Sequence, residues 1–335
     1  MNYNKFSRPK MYSQLPINSR AKLDTGTQCN YRCGFCYYKS DLDKVTPYDI
    51  IIERAKIIKE SGITEIDLSG GESTIHKDWF KILDYCNENF DNVSCLSNGS
   101  KLKDFDFFEK SQKHGLMEVL FSLHGYDERS HDKIVGHKNA FKHIIQAIQN
   151  AHILGVKVRV NCTVTSQNVN GMLEYAKLLS LYDIQQVNFL PLNYWDDAST
   201  SSQESYEVLS EGIKIAIDYL EEYNDLQINV RYIPYCFMKG YEKYVVGIYQ
   251  HIFDLQDWNI MMYNGNRLEN PEVDDYYDTA FEKRVWTYTK PKECFNCQYF
   301  LICDGIEKEL KNQKVYPEPG TQFWSVMNFR DGKRC

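Results

Sequence analysis

The stretch Cys29-Asn30-Tyr31-Arg32-Cys33-Gly34-Phe35-Cys36 places three thiols within eight residues, in the spacing C-x3-C-x2-C. Thiolate is the ligand that iron–sulfur clusters and zinc select. A fourth cysteine is missing nearby, and a metal unit held by only three protein ligands keeps one coordination position free for a substrate. The stretch therefore predicts an open metal centre. A zinc knuckle lacking one ligand, or plain buried cysteines, is the alternative.

Length and composition are those of a folded globular protein. The 335 residues are 43% hydrophobic and 25% charged, with a net charge of -7. This charge argues against a general nucleic-acid binder, which carries a basic face. No apolar run approaches the roughly 18 residues that a membrane span needs, and the N-terminus lacks the apolar core of a signal peptide. We therefore expect a cytoplasmic protein without a membrane partner, whose 11 cysteines are metal ligands and core residues rather than disulfides.

Short apolar runs alternate with helix-period segments over residues 20–193, the pattern of βαβ units. Strands are predicted near 21–27, 63–69, 92–97, 117–123, 156–164 and 185–191. Helices are predicted near 47–60, 78–89, 103–113, 139–154 and 168–180. Six such repeats form an α/β fold, either a partial (β/α)6 TIM-like barrel or a doubly wound open sheet. Residues 1–19 are predicted to be an N-terminal arm.

Each predicted strand ends in polar residues, and barrel enzymes carry their chemistry where strands end. These endings are the Cys29 stretch, Ser69-Gly70-Gly71-Glu72, Ser97-Asn98-Gly99, Ser122-Leu123-His124-Gly125, Asn161-Cys162-Thr163 and Leu190-Pro191-Leu192-Asn193. Alternation along the fifth strand also puts Arg159 and Asn161 on one polar face. We expect this face to line a wet pocket, with Glu65, Lys157 and Glu118 in an ion-pair network at the barrel floor.

The cysteine spacing, with an aromatic residue just before the last cysteine, resembles the signature of the radical S-adenosylmethionine (SAM) enzymes. The resemblance implies that Cys29, Cys33 and Cys36 hold a [4Fe–4S] cluster whose fourth iron is chelated by the amino and carboxylate groups of SAM. It also favours the partial barrel over the open sheet.

Further residues are similar to the family's SAM-binding positions. Gly70-Gly71-Glu72 matches the GGE motif, whose backbone carbonyls, with the Glu close by, contact the SAM ammonium; glycine permits close approach and a carboxylate complements a cation. The resemblance implies that Ser122 and Arg159 or Asn161 reach the SAM carboxylate or ribose, and that Phe35 lies near the adenine. Ser122 is equally explained as a strand-end hydroxyl that satisfies its own backbone. His124 is either a proton donor or a packed side chain.

A second group of cysteines follows a polar linker, a predicted helix near 205–222 and a predicted strand near 226–232. Cys294, Cys297 and Cys303, with the isolated Cys236 upstream, resemble the SPASM and twitch extensions of radical SAM proteins, which hold auxiliary [4Fe–4S] clusters. These four would close one auxiliary cluster, so two clusters are expected and residues 194–335 are predicted to form this extension. A structural zinc site fits the C-x2-C pair equally well. The last residue, Cys335, is a doubtful ligand.

The resemblance implies an enzyme that is reduced by a donor such as flavodoxin or ferredoxin. It would cleave SAM to methionine and a 5′-deoxyadenosyl radical that abstracts hydrogen from an unactivated carbon, with the auxiliary cluster handling the electron of the substrate radical. The expected substrate is a ribosomally made peptide, matured by oxidation, cross-linking or epimerisation. A sugar, cyclitol or other small polar metabolite is the alternative, favoured by the single auxiliary cluster and a start too short for a leader-binding domain. A non-catalytic zinc-binding protein is the alternative of a different class.

Overall fold

A parallel sheet organises the molecule. The computed structural model describes residues 19–39, 42–192, 204–223, 226–246, 260–262, 287–324 and 329. Within them, one sheet has eight strands: β1 (Arg20–Asp24), β2 (Glu65–Ser69), β3 (Asn92–Ser97), β4 (Glu118–Ser122), β5 (Lys157–Val164), β6 (Gln186–Pro191), β7 (Gln227–Val230) and β8 (Ile260–Met262). The strands lie in the order β7-β6-β5-β4-β3-β2-β1-β8. This curled sheet confirms the predicted α/β fold, a partial TIM-like barrel.

Helices connect the strands and cover the outer face of the sheet. They are α1 (Tyr48–Glu60), α2 (Trp79–Asn89), α3 (Phe105–Lys113), α4 (Glu128–Val135), α5 (Ala140–Leu154), α6 (Met172–Leu179) and α7 (Tyr206–Leu220). All six predicted helices are present. Helix α6 begins later than predicted, because residues 169–171 form a 3-10 turn. None of the helices in the described ranges has the length and hydropathy that a membrane crossing needs.

Helix α4 was missed by the sequence analysis. It has only eight residues, three of them buried, and is shorter than the window of about 11 to 18 residues over which apolar periodicity identifies a helix. Its start is fixed by a capping box, in which the Asp127 carboxylate accepts from the Ser130 backbone N–H and the Ser130 hydroxyl accepts from the Asp127 N–H. In the sequence, this helix is therefore recognisable by its N-terminal capping box rather than by its buried apolar residues.

The sheet continues beyond residue 193, where the sequence analysis placed the end of the barrel. The strand predicted near 226–232 is β7, which pairs in parallel with β6 rather than belonging to a separate extension. Strand β8 extends the opposite edge by pairing with β1. A second sheet consists of β9 (Tyr288–Thr289) and β10 (Ile306–Glu307), which are antiparallel. The predicted arm, except Ser19, and Cys335 lie outside the described residues.

The two faces of the sheet differ in polarity, as strand alternation predicts. The outer face packs against the helices and contributes the apolar core, which includes Cys86, Cys95 and Cys162. The inner face carries charged and polar side chains, including the fully buried Arg20 and Asp67. An ordinary closed barrel fills its lumen with branched apolar side chains, so this lumen is built for polar contacts.

Arg20 centres an ion-pair network at the amino ends of the strands, which we call the floor network. Its guanidinium lies 2.6 Å from Asp67 Oδ1, 2.6 Å from Glu65 Oε2 and 3.1 Å from Glu118 Oε1. Arg159 joins the network by pairing with Asp67 and Glu118. The predicted floor positions of Glu65 and Glu118 are thereby confirmed.

Two sequence-based expectations need correction here. Lys157, predicted to belong to the floor network, is exposed, because it begins β5 beyond the covered part of the sheet. Arg159, predicted as a candidate SAM contact, forms ion pairs with two buried carboxylates, Asp67 and Glu118. Its guanidinium is therefore directed to the floor network, and Asn161 is the remaining candidate on this strand.

Replacing Arg20 with methionine should lower the free energy of unfolding by about 3 to 5 kcal/mol, because Asp67 and Glu118 would stay buried without their main cation. Urea unfolding at neutral pH measures this change. Lys157→Ala is the matched control and should change stability by less than about 0.5 kcal/mol. Equal effects of the two substitutions would contradict the floor network.

Candidate functional site

The loop that carries the first three cysteines follows β1 and lies against the end of β2. Thr25 N donates to Ser69 O over 2.8 Å, Gly71 N to Gly26 O over 2.9 Å, and Glu72 N to Gln28 O over 2.8 Å. These backbone bonds join the chain before Cys29 to the GGE segment. The cysteine loop is thus held at the carboxyl ends of the strands, where barrel enzymes place their chemistry.

Gly70 and Gly71 are required by this contact. A Cβ on Gly70 would lie 2.1 Å from Gly26 O, and one on Gly71 would lie 2.0 Å from Gln28 O. Gly70 also has a φ of +115°, which L side chains rarely adopt. The sequence analysis expected these glycines to approach a ligand closely. In the structure their close approach is to the backbone of the cysteine loop.

Glu72 links β2 to β3. Its side chain is only 1% exposed, and burial raises its pKa. It accepts hydrogen bonds from Ser97 Oγ over 2.9 Å, from Asn98 N over 2.7 Å and from the Thr74 hydroxyl. The carboxylate is therefore fixed by neighbouring donors at the rim of the lumen.

The three thiols lie close together and are half-buried. Burial raises the pKa of Cys29 to about 11, and the charge of Glu72 and then Cys36 add to the rise. Burial also raises the pKa of Cys33, with added contributions from Cys29 and Cys36. Such thiols stay protonated at neutral pH unless a metal displaces the proton. Three clustered soft donors fit an iron–sulfur cluster that leaves one iron open.

Asn98 is a site residue that the sequence analysis missed. Its Nδ2 lies 3.8 Å from Cys29 Sγ and 3.0 Å from Asn30 Oδ1. The sequence analysis noted Ser97-Asn98-Gly99 only as a polar strand ending. Its position at the end of β3, the strand that neighbours the GGE segment, was the signal that could have identified it.

Phe35 and His124 pack against each other at the edge of the loop. Their rings meet edge to face with centroids 4.8 Å apart, and the His131 ring stacks on the other side of His124 at 6.0 Å. His124 is 4% exposed and its Nδ1 accepts from the Thr163 N–H over 3.0 Å. Burial holds its pKa well below the usual value, so the ring is neutral. Of its two predicted roles, this geometry supports the packed side chain and not the proton donor.

A row of aligned side chains crosses the lumen above the floor network. Ser122, Asn161, Asn188 and Asn229 occupy paired positions on β4 to β7. Asn188 Nδ2 donates to Asn161 Oδ1 over 2.7 Å, and Asn229 Nδ2 donates to Asn188 Oδ1 over 3.0 Å. The sequence analysis predicted Ser122 and Asn161 but not the other two: Asn188 lies on the predicted sixth strand and was not singled out, and Asn229 lies on β7, which was placed outside the barrel.

The second group of cysteines lies just beyond β7. Cys236 lies in a 3-10 turn (Tyr235–Phe237) shortly after this strand, and burial raises its pKa to about 11, with further contributions from Cys294 and Cys297. The pKa of Cys303 is raised to about 12 by burial, and Cys236 contributes. The four predicted ligands are therefore neighbours. Within the described parts of the chain, no three Cys, His, Asp or Glu side chains converge closely enough to hold a single metal ion.

Gly71→Ala should abolish iron binding by the first cysteine group, because the new methyl group would push the chain before Cys29 away from β2. Gly34→Ala is the matched control inside the same loop, since a Cβ there has no atom within 4 Å. Iron content after anaerobic reconstitution measures both. Normal iron loading of Gly71→Ala would show that the loop does not need this contact.

Comparison with known proteins adds to this geometry. The model of the Radical SAM superfamily matches residues 23–179. Over 169 residues the chain is 30% identical to a protein of Sulfolobus acidocaldarius named probable GTP 3',8-cyclase, covering 49% of this chain and 53% of that protein. The protein of the same name from Saccharolobus solfataricus is 28% identical over 170 residues, covering 49% and 54%. The chain spans about half the length of these curated relatives.

Solved structures show the same fold over most of the chain. SuiB of Streptococcus suis bound to S-adenosylmethionine superimposes with a TM-score of 0.62 at 16% identity, covering 91% of this chain and 77% of that one. Native anSMEcpe with bound AdoMet superimposes with a TM-score of 0.58 at 15% identity, covering 93% and 95%. The three thiols at the carboxyl ends of the parallel sheet lie within residues 23–179, the segment that is similar to the Radical SAM superfamily.

Proposed function

We propose that this protein is a radical SAM enzyme with one auxiliary cluster. Cys29, Cys33 and Cys36 would hold a [4Fe–4S] cluster that binds SAM. When bound and reduced, this group supplies the one-electron cleavage of SAM to methionine and a 5′-deoxyadenosyl radical. The observation that carries the proposal is the position of the three half-buried thiols, tied by backbone hydrogen bonds to Gly71 and Glu72.

The chain's own residues would bind and orient SAM around this cluster. The Gly70-Gly71 backbone and the Glu72 carboxylate lie beside the cysteine loop and would receive the ammonium group. Ser122 and Asn161 face the lumen in the row of aligned side chains above the floor network. Because Asn161 Oδ1 already accepts from Asn188, its amide N–H groups are the ones available for the SAM carboxylate or ribose. Phe35, held edge-on by His124, would pack on the adenine.

We assign Cys236, Cys294, Cys297 and Cys303 to the auxiliary cluster. Four thiols suffice to close a cluster, and a closed cluster suits electron transfer rather than substrate chelation. A zinc ion would draw four thiols into one tight tetrahedron, whereas the ligands of a four-iron cluster attach to separate irons. A structural zinc site held by the same four thiols is the alternative, and iron and sulfide analysis distinguishes the two.

A ribosomally made peptide is the substrate we propose. SuiB was solved with its precursor peptide SuiA, and that structure superimposes on 91% of this chain with a TM-score of 0.63. The reaction would be an oxidation, a cross-link or an epimerisation. The electron would come from a donor such as flavodoxin or ferredoxin, which implies a cytoplasmic enzyme.

A nucleotide is the second candidate substrate, because the curated relatives are named GTP 3',8-cyclase. A triphosphate requires cations to bind it. Three buried cations of the lumen, Arg20, Lys22 and Arg159, are each paired with carboxylates. This pairing favours a peptide or a small polar metabolite such as a sugar or cyclitol over GTP.

The double substitution of Cys294 and Cys297 by alanine should remove about half of the iron of the reconstituted protein while SAM cleavage on reduction is partly retained, because only one of two separate clusters is lost. Iron and sulfide analysis and deoxyadenosine formation measure this. Cys86→Ala is the control, since Cys86 lies in the apolar core and should keep all iron. Loss of all iron in the double variant would contradict two separate sites.

Incubation with deuterated candidates would identify the substrate. We expect deuterium to appear in deoxyadenosine with a labelled peptide encoded beside this gene, and not with labelled GTP or labelled cyclitols. Transfer from GTP alone would replace the peptide with the nucleotide. A colourless protein that binds zinc and forms no deoxyadenosine would contradict the proposed function.

A further inference from the structure

We propose that Asn98 sets the reduction potential of the cluster at the Cys29 loop by donating a hydrogen bond to the Cys29 sulfur. This inference rests on the proposed function, because it assigns a role to a residue beside that cluster. Nothing in the GGE motif or the cysteine spacing assigns a role to this position. The geometry of the end of β3 carries the inference.

The orientation of the Asn98 side chain follows from a backbone donor. The Ser100 N–H, which can only donate, lies 2.9 Å from Asn98 Oδ1. The other end of the amide is therefore the NH2 group, and it faces Asn30 Oδ1 at 3.0 Å and Cys29 Sγ at 3.8 Å. One N–H is used by Asn30. The second N–H points at the sulfur.

Asn98 is held in this position from both sides. Its backbone N–H donates to Glu72 Oε2 over 2.7 Å, and Ser97 Oγ, which binds Glu72 Oε1, accepts from Gly99 N over 3.0 Å. On the far side, Asn30 Nδ2 donates to Ser100 Oγ over 2.9 Å. Glu72 thus helps to position Asn98 beside the sulfur.

The electrostatic consequence follows from the charge of the ligand. A cluster that gains one electron places more negative charge on its thiolate sulfurs, and hydrogen bonds to those sulfurs stabilise the reduced form. Cys29 Sγ also lies 3.5 Å from the Tyr31 backbone N–H, so the Asn98 amide is the side-chain donor of the pair. Low local dielectric strengthens the effect, because the thiol is largely buried.

Asparagine fits this position better than its close relatives. An aspartate would also accept from the Ser100 N–H, but it would present a second negative oxygen to the thiolate. An alanine would leave the Ser100 N–H without its acceptor and the sulfur without this donor. Asn98→Asp therefore keeps the turn and removes the donor, which makes it the sharper of the two variants.

The test is a redox titration of the full-length reconstituted protein, followed by electron paramagnetic resonance, with dithionite as the source of the single electron. The double alanine variant of Cys294 and Cys297 serves as the background, so that one cluster is observed. We expect Asn98→Ala to shift the midpoint potential to a more negative value and Asn98→Asp to shift it further. Gly34→Ala is the matched control in the same loop, because a Cβ there has no atom within 4 Å and every contact of Asn98 is kept, and it should leave the potential unchanged.

The outcomes separate this inference from the proposed function. If the background protein binds iron and cleaves SAM but Asn98→Asp leaves the potential unchanged, the inference is wrong and the proposed function stands. An equal shift in Gly34→Ala would show that the potential responds to any change in the loop and would also overturn the inference. If the parent protein binds no iron at the Cys29 loop, both fail.

Discussion

The contact between two backbones is the constraint on which the site depends. The chain before Cys29 and the Gly70-Gly71 segment approach so closely that neither glycine has room for a methyl group. This contact joins the loop after β1 to the end of β2 without relying on side chains. Side-chain rotamers can adjust, whereas two backbones in hydrogen-bonding contact cannot slide. The position of the three thiols is therefore as rigid as the sheet itself.

The lumen beneath this loop is arranged in levels of decreasing charge. The floor network neutralises its buried charges internally, at a cost in desolvation that its ion pairs must offset. Above it, the aligned amides from Asn161 to Asn229 are polar and uncharged. On the β4 to β7 side of the lumen, dipoles therefore lie closer to the carboxyl ends than ions do, whereas on the β1 side the Lys22–Asp24 ion pair lies at the end of the strand. This gradient suits a large polar ligand that must be oriented more than it must be neutralised.

The sequence predicted the local elements well and the long-range neighbours less well. Periodicity identified the first six strands and six helices, because each depends on side chains close in sequence. It missed that Gln227–Val230 joins the barrel sheet, since pairing with β6 is a tertiary property. The same limit explains Arg159 and Asn98, whose side-chain partners are distant in sequence. The cysteine loop was predictable because its ligands are adjacent in sequence, whereas the hydrogen bonds around it were not.

The position of Cys236 shortly after β7 has a consequence for the distance between the two cysteine groups. Strand β7 belongs to the same hydrogen-bonded sheet as β1, so the sheet anchors both the loop that begins after Asp24 and the segment that leads to Cys236. In the proposed enzyme, the fold itself would therefore set the distance over which electrons pass between the two clusters.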